Sequence, residues 1–182
     1  MTPLMTTDNL KVSPNSVALA GEFAVLSQLA LRGYDANMTL GRTKNVDILV
    51  SNPKGMMYKL EVKSNLRDIR EEPSNSKIFG KYISDWIMHK KQEEIIDDNL
   101  FYCFVNIGNP GNKFRFFIVH SEVVARYIKE QHQYWLKQTP QGKDGPMRLF
   151  RIGLRSEKYV IPTPAMEDYE NNWSFKLFKS HK

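Results

Sequence analysis

Two apolar runs joined by a turn, "NVDILV" (45–50) and "MMYKLEVKS" (56–64) on either side of "SNPKG", limit what this chain can fold into more than any other feature. Pro53 and Gly55 mark a turn, and the alternating apolar residues around it predict a β-hairpin. With the turn centred on Pro53–Lys54, paired positions sum to about 108, which sets Asp47 opposite Glu61. Lys63 lies two residues further along the same face, while Val46, Ile48, Val50, Leu60 and Val62 form a core face. A slip of one residue would spoil this arrangement, and the sequence leaves that open. Adjacent carboxylates repel, so solvent, a shared proton, a lysine or a cation must offset them. Two carboxylates side by side also suit a hard divalent ion such as Mg²⁺. The plainer reading is a solvent-facing Asp–Glu–Lys cluster.

The other elements follow from periodicity and punctuation. Residues 1–14 are polar and read as a loose arm. "SVALAGEFAVLSQLALR" (16–32) reads as a helix with Asn15 or Ser16 as N-cap and a stop at Gly33. "YDANMTL" (34–40) suits a short strand, and the charged segment 66–81 a mobile loop. "ISDWIMHKKQEEII" (83–96) fits a helix. "LFYCFVNI" and "FRFFIVH" are strands around the turn "GNPGN". "SEVVARYIKEQHQYWLK" (121–137) is a helix with Ser121 as candidate N-cap. A loop (138–148), a late strand "LFRIGL" and a short helix within "EDYENNW" close the chain. Strands outnumber those of a strict βα alternation, so the expected fold is α/β, a central mixed sheet flanked by helices. The expected organisation is an N-terminal arm (1–15), a core domain (16–137) and a basic C-terminal extension packed on it (138–182).

Glu22 is the only charged residue between Val17 and Leu31. On a helical wheel it falls within the stripe of Leu26, Leu29, Ala18 and Val25, with Gly21, Ser27 and Gln28 on the other side. A buried, unpaired carboxylate costs several kcal/mol, so Glu22 should be protonated or partnered. One reading gives it a backbone group or Arg32. The other points it at Asp47 and Glu61, completing an acidic pocket.

Taken together, "GEFAVLSQLALRGYD", "NVDILV" and "LEVKS" resemble the core of the PD-(D/E)xK nuclease superfamily, which includes restriction enzymes and Holliday junction resolvases. The likeness covers residues 16–64 and is compatible with the element order to about residue 137. Glu22, Asp47, Glu61 and Lys63 match the pattern, and Val46 stands where the name-giving proline would be. The resemblance implies a restriction endonuclease-like sheet and Mg²⁺- or Mn²⁺-dependent hydrolysis of DNA phosphodiester bonds. It implies that Asp47, Glu61 and the Val62 carbonyl hold the ion, that Glu22 binds a second one, and that Lys63 orients water or stabilises the phosphorane. A homodimer is compatible with cutting two strands.

Charge adds a partner class. Residues 1–110 hold 13 Lys/Arg and 13 Asp/Glu, while residues 111–182 hold 13 against 7, the whole of the net +6. Lys143, Arg148, Arg151, Arg155 and Lys158 form a basic stretch that could track a phosphate backbone, although a solvated strand explains it as well. No window is apolar enough for a membrane helix, no secretory signal is visible, and the single cysteine, Cys103, sits in an apolar run; a cytoplasmic location is the simplest expectation. The histidines have no zinc-ligand spacing with cysteine. Two other readings stand beside the nuclease: an inactive DNA-binding or protein-interaction module of the same fold, and an unrelated α/β interaction domain with structural carboxylates.

Overall fold

The computed structural model describes residues 12–39, 45–67, 74–76, 78–108 and 113–178. Residues 1–11 of the expected arm, 68–73 and 77 of the expected loop, and 109–112 of the expected turn lie outside these. The element order is α1 (Pro14–Ala30), β1 (Asp35–Met38), β2 (Ile48–Ser51), β3 (Met57–Leu66), β4 (Ser74–Ser76), β5 (Gly80–His89), a 3-10 turn (Lys90–Glu94), β6 (Leu100–Gly108), β7 (Lys113–His120), α2 (Ser121–Gln138), β8 (Met147–Gly153) and α3 (Met166–Tyr169).

The central sheet is five-stranded and mixed, in the order β1-β2-β3-β6-β7. β3 pairs in parallel with β6, and the remaining neighbours are antiparallel. β6 is buried along its whole length, as expected of a strand covered on both faces. One face packs against α1 through Val25, Leu29, Ile48, Val50, Leu60, Val62, Cys103 and Val105. The other carries Tyr102, Phe104, Phe117 and Val119, which meet Val124, Tyr127 and Ile128 of α2 and Trp86, Phe150 and Ile152 of a second sheet.

That second sheet, β4-β5-β8, departs from the sequence reading. Residues 83–96 are not a helix: β5 runs to His89 and only the 3-10 turn follows. Burial alternates, with Ser84, Trp86 and Met88 inside and Ile87 and His89 outside, because β8 pairs along β5 from Tyr82↔Gly153 to His89↔Met147. The first helix also begins earlier than expected. Ser13 is its N-cap, the Ser13 hydroxyl accepting from Ser16 N–H at 3.1 Å, and Pro14 opens the helix. Ser121 is not a cap but a buried helical residue, whose hydroxyl donates to Asp97 O and accepts from Asp97 N–H.

Gly21 lies on the buried line of α1 with Val25 and Leu29, not on the outer side assigned by the wheel. A Cβ there would stand 1.8 Å from Ser64 Oγ and 2.9 Å from Ser64 Cβ, so α1 crosses β3 at glycine distance. Gly21→Ala should therefore force the helix off the sheet and cost about 1–3 kcal/mol, read as a lower denaturant midpoint at unchanged m-value. An unchanged midpoint would mean that Ser64 rotates aside freely.

Candidate active site

The hairpin forms in the expected register as far as its turn-proximal part extends, from Ser51↔Met57 to Ile48↔Leu60. It then breaks. Asp47 N–H donates to Leu60 O at 2.8 Å instead of pairing with Glu61, and Asp47 Oδ2 accepts Val62 N–H at 2.7 Å. The expected cross-strand opposition of Asp47 and Glu61 is thus replaced by a side-chain cap on the β3 backbone. Within a strand the N–H and C=O of one residue face the same edge. The Val62 carbonyl therefore faces the edge on which Asp47 sits.

Glu61 and Lys63 share the face that carries Tyr102 and Phe104, their partners on β6. Glu61 is buried at 5% exposure. Its Oε1 takes the Lys63 ammonium at 2.6 Å and Gln92 Nε2 at 2.9 Å. Its Oε2 is buried and makes no hydrogen bond of good geometry, and neither does the Tyr102 hydroxyl, although that hydroxyl lies beside the Glu61 carboxylate. Burial, and next the Glu61 charge, push the Tyr102 hydroxyl far above the usual tyrosine range.

Glu22 is half-buried on α1. Burial first, then the Asp47 charge, raise its pKa above the ordinary carboxylate value, and Lys63 partly offsets this. It does not bond Arg32, whose guanidinium donates to Gln28 and lies over Trp173. Glu22 and Asp47 thus sit in one electrostatic neighbourhood with Lys63, and Lys63 reaches Glu61.

Among the described residues no three His, Cys, Asp or Glu side chains converge as a ready-made metal cage. The donor set still fits Mg²⁺. That ion commonly takes one or two carboxylates and completes its shell with water and substrate phosphate. Glu61 Oε2, buried without a well-formed hydrogen bond, is a hard oxygen donor of the kind that ion takes.

The basic stretch is divided by the fold. Lys143 is exposed, and Arg155, half-exposed, pairs with Asp168 at 2.5 Å. Arg148 and Arg151 are withdrawn from the surface. Arg148 pairs with Glu93 and, at 3.0 Å, with Asp144. Arg151 donates to Gln131 at 2.5 Å and lies over Phe79, 4.5 Å from the ring centre. They are occupied by protein groups and do not offer themselves to a phosphate backbone. A shallow hollow of about 640 Å³ beside Ala20, Phe23, Ala24, Phe114 and Phe116 is lined by no titratable side chain, so the site's chemistry lies elsewhere.

Gln92 is the participant that sequence reasoning missed. It lies within "ISDWIMHKKQEEII", the stretch whose pattern fits a helix. The pattern that could have exposed it is a three-residue spacing, since His89 N–H donates to Gln92 Oε1 at 2.7 Å in a capping box.

No family model and no curated protein sequence matches the chain. Among solved structures, a bacterial homing endonuclease, I-Ssp6803I, aligns over 90% of this chain and 91% of that one, at 12% identity and a TM-score of 0.47. No helix among the described residues is long and apolar enough to cross a membrane.

Proposed function

We propose that the chain is a metal-dependent nuclease of the PD-(D/E)xK type that hydrolyses DNA phosphodiester bonds. The observation that carries this reading is the buried Glu61 carboxylate. One oxygen is satisfied by Lys63 and Gln92 and the other makes no well-formed bond, a short way along β3 from the Asp47-capped Val62.

Asp47, Glu61 and the Val62 carbonyl would hold Mg²⁺ or Mn²⁺. Bound there, the ion supplies Lewis-acid polarisation of the phosphate and a more acidic water. Lys63 has donors left after the bond to Glu61, so it can orient a water or meet charge developing on a phosphate oxygen. Glu22 holds its proton more tightly than an ordinary carboxylate because burial and the Asp47 charge disfavour its anion, and a cation nearby would offset both. Lys143, Arg155 and Lys158 are the members of the basic stretch left at the surface for DNA, Arg155 already sharing its charge with Asp168.

A non-catalytic module of the same fold is favoured by one observation: Glu61 and Lys63 already neutralise each other at 2.6 Å. Supercoiled plasmid separates the two. The nuclease nicks it with Mg²⁺ or Mn²⁺ and stops on chelation. DNA binding with a steep salt dependence and no nicking would favour the module. Neither cutting nor binding would leave an α/β interaction domain.

A further inference from the structure

We infer that Gln92 is a positioning residue for Glu61, fixing which carboxylate oxygen is left to take a metal ion; this rests on the nuclease reading above. Gln92 is 3% exposed and lies in the 3-10 turn after β5, remote in sequence from the hairpin. An amide can point either way, but here the direction is set. His89 N–H is a donor, so the oxygen of Gln92 must face it, at 2.7 Å. The NH₂ group is thereby aimed at Glu61 Oε1, at 2.9 Å.

Glu61 Oε1 then carries both a neutral donor and the Lys63 ammonium, while Oε2 has only the Tyr102 hydroxyl nearby and no well-formed bond. The carboxylate cannot turn over without breaking both bonds. Its other oxygen is thereby held in one orientation beside the Tyr102 hydroxyl, the oxygen that a monodentate cation would have to take. The turn that bears Gln92 is itself anchored. Glu93 pairs with buried Arg148, and Lys90 pairs with Asp144 at 2.7 Å. The donor is thus held by a rigid element and not by a loop, which is what orienting a metal-ligating carboxylate requires.

The test uses the full chain and two variants, Gln92→Met, of similar length without the amide, and Gln92→Asn, one methylene shorter. The second guards against a variant that fails to fold. Mn²⁺ and Mg²⁺ are titrated calorimetrically without DNA, thermal unfolding is followed in chelator, and nicking is measured against metal concentration. Outer-shell partners of metal ligands commonly contribute 10–100-fold in affinity, so the expected result is metal binding weakened about tenfold or more. The metal concentration for half-maximal nicking should rise in parallel, with much of the rate recovered at saturation. A lowered melting temperature with unchanged metal affinity makes Gln92 merely structural and overturns the inference alone. A wild-type chain that binds neither ion overturns this inference and the nuclease reading together.

Discussion

If the chain is the proposed nuclease, Lys63→Met is expected to reduce metal-dependent nicking by about a hundredfold to a thousandfold, the effect of removing one preorganised donor from a developing charge, about 3–4 kcal/mol. Asp47→Asn should fall as far, because it weakens both the cap on Val62 and the oxygen offered to the ion. A stability effect accompanies the lysine change and must be separated from it. Glu61 is buried at 5% exposure, and without the ammonium it is left with neutral neighbours such as the Gln92 amide. An unpaired buried carboxylate is costly. The double variant Lys63→Met/Glu61→Gln should recover most of the lost stability and none of the nicking. Nicking that survives in a folded Lys63→Met or Asp47→Asn protein would end the hydrolytic reading, whatever became of the melting temperature.

Arg148→Met should be the most damaging change outside the site, lowering unfolding free energy by about 3–5 kcal/mol. Its side chain is 2% exposed and that of its partner Glu93 12%, so truncation leaves a largely desolvated anion. A typical domain has about 5–15 kcal/mol in total, so a large share would be lost. Denaturant melts of the single variant against Arg148→Met/Glu93→Leu check the cause. If the uncompensated charge is responsible, the double variant is the more stable of the two. A single-variant loss below about 1 kcal/mol would show that Glu93 escapes to water or protonates cheaply.

The hairpin was legible because its determinants are local. Pro53, Gly55 and the alternation of Ile48, Val50, Leu60 and Val62 fix the turn and the buried face within twenty residues, and the register from Ser51↔Met57 to Ile48↔Leu60 follows. Asp47 escaped that logic because its carboxylate, not its backbone, completes the bond to Val62. β5 was misread because "ISDWIMHKKQEEII" satisfies a period of two and one of 3.6 about equally, and its charged end consists of helix formers. What decides between them is β8, which arrives from residues 147–153. The same missing partner explains the arginines. Arg148 and Arg151 look solvated until β8 is known to be covered by Glu93 on the 3-10 turn and Gln131 on α2. Gln92 was hidden for a related reason, since its contact with Glu61 spans 31 positions in an element read as something else.

The aromatic wedge behind the hairpin bears on how the protein is made. Phe175 stacks on Tyr58 at 4.3 Å and meets Tyr34 and Phe101 edge-on, and the Tyr34 hydroxyl reaches Trp173 O across 139 positions. During synthesis from the N-terminus Tyr58 and Phe101 can meet each other, but the ring that covers them both arrives only when the segment around 173–175 leaves the ribosome. A nascent chain stalled earlier would carry a greasy, unfinished hairpin, a natural target for holdase chaperones.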